Sequence, residues 1–223
     1  MPAHSAIEER TVQVDAGYVR LEGTLGVPHN PNGVIVFAHG SGSSRFSARN
    51  RFVAEYLRDG GFATLLIDLL TPEEEAVDVY SREYRFDIGR LAERLVGATH
   101  WLAHERETER LSVGLFGAST GGGAALVAAA ELPDRIGAVV SRGGRPDLAG
   151  PALGRVEAPT LLIVGGDDEQ VIELNEQALR QLHATARLEI VPRATHLFDE
   201  PGALEKVAQL AREWFGKYLG ANP

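Results

Sequence analysis

The pentapeptide Gly117-Ala118-Ser119-Thr120-Gly121 is the feature that most constrains the fold of this chain. It follows an apolar run, residues 111–116, that is typical of a buried strand, and it precedes a run rich in Gly and Ala, residues 122–130, that predicts a helix. A Gly-x-Ser-x-Gly sequence at a strand-to-helix junction makes a sharp turn in which larger flanking side chains would clash. Such a turn exposes its serine at the end of the strand, so Ser119 is a candidate nucleophile.

The rest of the chain alternates strands with helices, which predicts an α/β fold with a doubly wound, mostly parallel sheet. Two strands at 11–14 and 18–26 predict an antiparallel start. Buried strands are predicted at 34–38, 62–67, 137–141, 160–164 and 188–191, and helices at 47–59, 86–104, 171–182 and 201–219. Residues 69–84 are predicted to be polar and irregular, and they are the one candidate for a small cover. We expect a single domain over residues 1–223 without a large cap domain.

Composition narrows the function classes. The formal charge of −9 argues against nucleic acid or an anionic membrane as a partner. The chain has no cysteine, which excludes disulfides, thiolate metal sites and a cysteine nucleophile. Residues Met1–Ser5 do not begin a signal-peptide pattern, and no apolar run approaches the roughly 20 residues that span a bilayer. We therefore expect a soluble cytoplasmic protein, monomeric or homodimeric, that uses no cofactor or metal.

Two further motifs complete a candidate catalytic triad. A serine hydroxyl needs a base to take its proton and a carboxylate to orient that base. Gly165-Gly166-Asp167-Asp168 follows one predicted strand, and Ala194-Thr195-His196 follows the last one. The chain order of serine, then aspartate, then histidine is typical of hydrolases with a nucleophile turn of this kind. The Gly-x-x-Asp-x-x-Val spacing favours Asp168 as the acid over the adjacent Asp167. One of the two is a candidate cap of the following helix, and Asp68 is a weaker alternative for the acid.

The turn His39-Gly40-Ser41-Gly42 follows the first buried strand and is a candidate oxyanion loop. We expect one backbone N–H donor from Ser41, or alternatively from Gly42, and the second from Thr120 directly after the nucleophile. His39 is expected to pack and to hydrogen-bond beneath this loop rather than to act in catalysis.

These motifs resemble those of α/β-hydrolases of the dienelactone hydrolase family. The resemblance rests on His39-Gly40-Ser41-Gly42, the Gly117 to Gly121 turn, Gly165-x-x-Asp168-x-x-Val171 and Thr195-His196-Leu197-Phe198, and it covers nearly the whole chain. It implies hydrolysis of a carboxylic ester or lactone. Dienelactone hydrolases use a cysteine nucleophile, whereas this chain carries Ser119, so the resemblance implies esterase chemistry rather than the family's named reaction.

The basic residues are unusual, since 20 of the 22 are arginine. Arg45 and Arg142 follow predicted strands on the same side as Ser119, and an arginine fork matches a carboxylate in bidentate fashion. One hypothesis is that they bind an anionic group of the substrate. The alternative is that they tie loops to neighbouring carboxylates. His100 and His104, four residues apart on a predicted helix, are interpreted as a solvated or half-buried pair rather than as metal ligands.

The leading functional prediction is a serine esterase or lactonase that acts on small substrates through an acyl-enzyme. The same triad also fits amide or thioester hydrolysis, and a non-catalytic binding protein with this fold is a third possibility. Nucleotide binding is disfavoured, because Gly40-x-Gly42 lacks the third glycine of a dinucleotide loop and no lysine follows as in a P-loop.

Overall fold

The computed structural model of the protein describes residues 9–220. Residues 1–8 and 221–223 lie outside it, and with them the segment judged for a signal peptide and both limits of the predicted domain. The strands are β1 Glu9–Asp15, β2 Arg20–Gly26, β3 Val34–Ala38, β4 Ala63–Ile67, β5 Val113–Ala118, β6 Ile136–Arg142, β7 Thr160–Gly165 and β8 Ala186–Val191. The helices are α1 Ala48–Asp59, α2 Pro72–Ser81, α3 Ile88–Leu102, α4 Thr120–Glu131, α5 Glu169–Leu179 and α6 Ala203–Tyr218.

The eight strands form one sheet in the order β1-β2-β4-β3-β5-β6-β7-β8. The first two strands join antiparallel, β2 also joins β4 antiparallel, and every later pair is parallel. This confirms the predicted α/β-hydrolase architecture with an antiparallel N-terminal start.

Both faces of the sheet are buried, since every residue of β3, β4, β5 and β7 is buried whichever face its side chain is on. One apolar layer joins the sheet to α3 and α4 and includes Leu95 and Leu126. The other joins it to α1 and α6 and includes Leu57 and Phe215. No helix among residues 9–220 is long and apolar enough to cross a membrane.

The prediction of an irregular segment at 69–84 is wrong, because α2 forms there. Thr71 caps the helix by accepting a hydrogen bond from the Glu74 N–H at 3.2 Å, while the Glu74 carboxylate accepts one from the Thr71 N–H at 2.9 Å. Pro72 fills the first turn, where a missing N–H costs nothing, and three glutamates stand at the positive end of the helix. The Thr-Pro-Glu-Glu sequence is itself a helix-start signal that the sequence interpretation overlooked.

The long connection between β6 and β7 is not an irregular loop. It contains 3-10 turns over Pro146–Arg155, with a kink at Gly150, where φ is +50°. Apolar side chains of these turns, including Leu153, belong to the layer that covers α4. The segment is therefore packed structure that covers the back of the helix following Ser119.

Candidate active site

Ser119 occupies the sharp turn between β5 and α4. Its backbone is in a rare conformation, with φ 51° and ψ −120°. Two hydrogen bonds hold it there, since the Ser119 N–H donates to the Arg142 carbonyl at 3.2 Å and the Arg145 N–H donates to the Ser119 carbonyl at 3.0 Å. The turn also requires glycine at residue 121, because a Cβ added there would lie 2.3 Å from the carbonyl oxygen of Ala38. The surrounding backbone therefore fixes the serine from both neighbouring strands.

The structure brings His196 and Asp168 together as the chain order predicts. The His196 Nδ1–H donates to Asp168 Oδ2 at 2.6 Å. Asp168 stands at the N-cap position of α5, yet its carboxylate makes no capping bond and turns to the imidazole instead. Its side chain is 15% exposed, against 38% for His196, whereas the adjacent Asp167 is exposed. Of the two aspartates, Asp168 therefore orients the histidine.

The loop that carries His196 is anchored by close backbone packing and by one aromatic side chain. A Cβ at Gly165 would lie 2.3 Å from the Ala194 carbonyl oxygen, so β7 and the histidine loop touch only because that residue is glycine. Phe198 is 1% exposed and packs into the core although its φ is +58°. The loop is thus held on both sides of His196.

Ser119 and His196 line a common cavity of about 260 Å³ at the carboxyl ends of the parallel strands. No hydrogen bond joins Ser119 Oγ to the imidazole among the described residues, and such bonds commonly tighten only when substrate is bound. The other residues of the wall include Gly40, Ser41, Asn50, Arg49, Arg142 and Leu197.

The candidate oxyanion loop packs directly on the nucleophile, since a Cβ at Gly40 would lie 3.1 Å from the Ser119 Cβ. Thr120 is the first residue of α4, where backbone N–H groups have no partner within the helix. The Ser41 N–H, in contrast, is engaged and donates to the Thr120 side-chain Oγ1 at 2.9 Å. Both predicted donors are therefore next to Ser119, and a side-chain hydroxyl that sequence reasoning missed lies between them.

His39 supports this loop from below. Its Nδ1–H donates to the Gly40 carbonyl at 2.9 Å, and its Nε2 accepts from the Leu69 N–H at 3.1 Å. Burial lowers the pKa of His39, so the neutral ring that these two bonds require is the stable form.

Arg45 is bound by carboxylates, as the alternative interpretation of the loop arginines expects. The Arg45 guanidinium pairs with Asp68 and, at 2.5 Å, with Glu22. The backbone N–H of Arg45 also donates to Asp68 Oδ1 at 2.7 Å. These groups line a neighbouring cleft of about 640 Å³, one wall of which is Thr71, Pro72 and Glu75 at the start of α2. Arg45 does not line the Ser119 cavity, and Asp68 is engaged by Arg45 rather than by His196.

Arg142 has the opposite environment. It is 6% exposed, it lines the cavity of Ser119, and it makes no salt bridge within the described chain. Its Nη2 donates to Asn50 Oδ1 at 3.2 Å, while its buried Nε has no partner among residues 9–220. Burial, aided by the nearby charge of Arg49 and opposed by Asp199, lowers the pKa of Arg142 to about 10. The guanidinium thus stays charged near neutral pH without a carboxylate beside it.

Of the predicted histidine pair, His100 lies in α3 and His104 lies just beyond the end of this helix. His104 Nδ1–H donates to the His100 carbonyl at 2.8 Å, an ordinary contact across one helical turn.

The sequence profile of the dienelactone hydrolase family matches residues 21–219. The chain belongs to the dienelactone hydrolase family. A crystal structure of a dienelactone hydrolase from Anabaena variabilis ATCC 29413 is 64% identical, has a TM-score of 0.94, and aligns over 95% of this chain and 98% of its own. Est1E from Butyrivibrio proteoclasticus, at 16% identity and a TM-score of 0.77 over 93% of this chain and 98% of its own, shares the fold.

Longer curated relatives also belong to this comparison. Two proteins of Mycobacterium tuberculosis, provisionally named phosphoribosyl transferases, are 58% identical over 222 residues. The match takes in 99% of this chain and 49% of each relative, so the chain spans about half the length of these proteins. Family membership identifies the fold of the matched half.

Proposed function

We propose that the protein is a serine hydrolase of small carboxylic esters or lactones. One observation carries the proposal: His196, which is paired with Asp168 at 2.6 Å, lines the same cavity as Ser119 in its strained turn. A paired histidine beside a half-buried serine that lines a cavity is the arrangement that activates a hydroxyl nucleophile.

In the proposed reaction, Ser119 Oγ attacks the carbonyl carbon while its proton passes to His196 Nε2. Asp168 keeps the Nδ1–H of the ring turned toward itself, so that Nε2 faces the serine, and it stabilises the imidazolium that forms. The negative charge on the carbonyl oxygen is met by backbone N–H donors of Thr120 and the oxyanion loop. The imidazolium then gives its proton to the leaving alcohol, and water hydrolyses the acyl-enzyme by the same steps.

The transferase name belongs to relatives about twice as long as this chain. The family match over residues 21–219 supports assigning the hydrolase chemistry to the half that this chain represents. The proposal accordingly concerns this half and leaves the named activity with the longer proteins.

A fluorophosphonate probe and a substrate panel test the proposal. We expect the probe to label the wild-type protein at Ser119 and to leave Ser119→Ala unlabelled. The panel should contain short esters and lactones beside amides and thioesters of the same acyl groups. Turnover of the esters or lactones by the wild type, lost in Ser119→Ala, supports the proposal. An unlabelled, inert wild type would refute it, and faster turnover of amides or thioesters would reassign the bond cleaved.

We also propose that Arg142 binds an anionic group of the substrate. The cavity wall holds two guanidinium groups, those of Arg142 and Arg49, and no carboxylate, in a chain whose formal charge is −9. Arg49 is already paired with Asp199 at 3.1 Å, which leaves Arg142 as the unmatched charge. Since Arg142 is the register partner of Ala118, the residue before the nucleophile, the anion should lie only a few bonds from the scissile carbonyl.

Esters of equal length with and without a terminal carboxylate test this substrate preference. The readout is the ratio of kcat/KM for a hemisuccinate ester to that for the butyrate ester of the same alcohol. We expect Arg142→Gln to lower this ratio at least tenfold, because the bidentate partner of the carboxylate is lost. Arg110→Gln is the matched control, since the side chain of Arg110 is 92% exposed. An unchanged ratio in Arg142→Gln would overturn the preference and leave the esterase proposal standing.

A further inference from the structure

The hydroxyl of Thr120 has an environment that its position in the fold does not require. Its Oγ1 accepts the Ser41 N–H at 2.9 Å, and the residue is 3% exposed. The hydroxyl donates no hydrogen bond to any of the described residues. A threonine inside a helix commonly donates to the carbonyl one turn earlier, but Thr120 is the first residue of α4 and has no preceding helical turn.

The same hydroxyl is close to the place where negative charge develops in the proposed reaction. The Thr120 N–H and the Ser41 N–H are the two expected oxyanion donors. The hydroxyl belongs to Thr120 and accepts a hydrogen bond from the Ser41 N–H, so it lies beside both. A buried hydroxyl proton without an acceptor is costly, so a new acceptor beside it is stabilised. Donation from the Ser41 amide also polarises the hydroxyl and makes it a better donor.

We propose that the Thr120 hydroxyl donates a hydrogen bond to the oxyanion in the place expected of the Ser41 amide, which instead holds the hydroxyl by donating to its Oγ1. This inference rests on the proposed function. It makes Thr120 a catalytic residue through its side chain as well as its backbone. It also accounts for the engaged Ser41 amide, which in the free protein is occupied by the hydroxyl and not left open.

Two substitutions separate the hydroxyl from the shape of the side chain. Thr120→Val keeps the volume and removes the hydroxyl, whereas Thr120→Ser keeps the hydroxyl and removes a methyl group. On one ester we expect Thr120→Val to lower kcat at least tenfold with little change in KM, and Thr120→Ser to stay within about threefold of wild type, as for loss of one oxyanion donor. Thr108→Val is the control, because Thr108 is a buried threonine whose hydroxyl donates to the Leu102 carbonyl.

A transition-state mimic provides a readout that a purely structural role would not move. An alkyl trifluoromethyl ketone forms a tetrahedral adduct with an oxyanion, while the carboxylic acid product does not. We expect Thr120→Val to weaken the ketone about as much as it lowers kcat and to leave the affinity for the acid unchanged. If Thr120→Val does not fold, a structure of the wild-type adduct decides, with Thr120 Oγ1 expected within hydrogen-bond distance of the oxyanion.

Three results would overturn the inference while the esterase proposal stands: an unchanged or higher kcat in Thr120→Val, equal losses in the valine and serine variants, or an adduct in which Oγ1 does not contact the oxyanion. A higher kcat would mean that the hydroxyl obstructs the Ser41 amide. A wild-type protein that neither turns over esters nor reacts with the fluorophosphonate probe would instead refute the proposed function itself.

Discussion

At the scale of single residues, the two adjacent aspartates after β7 have separate fates. Asp168 contacts His196 at 2.6 Å, while Asp167 is exposed. We predict that Asp168→Asn lowers kcat by roughly 10³–10⁴-fold, because an amide no longer enforces the tautomer that leaves Nε2 free. Asp167→Asn should stay within about twofold. Steady-state kinetics on one ester measures both, and equal effects of the two variants would contradict the assignment of the acid.

Arg142 carries a cost in stability that its replacement should reveal. Burial lowers its pKa to about 10, well below the ordinary value of an arginine, which is a penalty of roughly 3 kcal/mol on the charged form at neutral pH. Arg142→Met removes the buried charge and loses the hydrogen bond to Asn50 and the contact of the guanidinium with the Phe198 ring, whose centroid lies 5.9 Å away. We predict that this variant raises the free energy of unfolding by about 1–2 kcal/mol at pH 7. Urea unfolding measures the change, and a clear decrease would show that the charge is compensated in the fold.

At the scale of elements, the turn between β5 and α4 depends on Gly121. The Cβ of an alanine at this position would lie 2.3 Å from the Ala38 carbonyl oxygen and 2.7 Å from that of His39. Because these carbonyls belong to the last residue of β3 and the first residue of the oxyanion loop, Gly121→Ala should displace that loop and lower kcat at least 100-fold. Gly216→Ala is the control, since a Cβ there contacts nothing and alanine favours the helix. We expect Gly121→Ala to lower the activity, and Gly216→Ala to keep the activity and to raise the melting temperature.

Helix α2 is secured by a local capping box. Thr71→Ala removes the acceptor of the Glu74 N–H, and we predict a loss of about 1 kcal/mol in stability. The helix forms one wall of the larger cleft, so its fraying should also speed proteolysis within residues 72–81. Glu73→Gln, an exposed change in the same turn, should alter stability by less than about 0.5 kcal/mol. Chemical unfolding and limited proteolysis test the pair, and similar effects of both would contradict the capping role.

At the scale of the whole molecule, His39 couples stability to pH. Burial lowers its pKa below the ordinary 6.5, although the Gly40 carbonyl and the charges of Asp68 and Glu75 partly oppose this shift. The unfolded chain therefore binds the proton more readily. The contribution of the neutral His39 ring to the free energy of unfolding is full above about pH 6.5. It is lost as the pH falls below that value, by at most about 1.4 kcal/mol per pH unit.

His39→Gln isolates this effect. The variant should be less stable at pH 7.5, because it loses the bond from the Leu69 N–H, yet its stability should change less between pH 7.5 and pH 5. Unfolding free energies measured across that range provide the comparison. Parallel curves for wild type and variant would show that His39 does not titrate as its burial requires.

Much of the architecture follows from local pattern. Buried strands such as Val34–Ala38 are visible in the sequence because strands covered on both faces need continuous apolar runs. Helix α2 is not predicted by the hydrophobic pattern, because its glutamates and exposed valines resemble a solvated loop. Only the capping sequence that begins at Thr71 marks the start of the helix. The capping sequence runs only from Thr71 to Glu74, whereas hydrophobic periodicity is a property of a whole helix.

The sequence by itself determined the fold class, the family resemblance and the order of Ser119, Asp168 and His196, because these depend on residue type, spacing and strand pattern. The tertiary structure decided the rest. It separated Asp168 from Asp167, paired Arg45 with Asp68 while leaving Arg142 buried and without a carboxylate, and placed the Thr120 hydroxyl on the Ser41 amide. Each of these depends on distances between segments far apart in the chain, where differences of a few ångströms determine which charge is neutralised and which remains for a substrate.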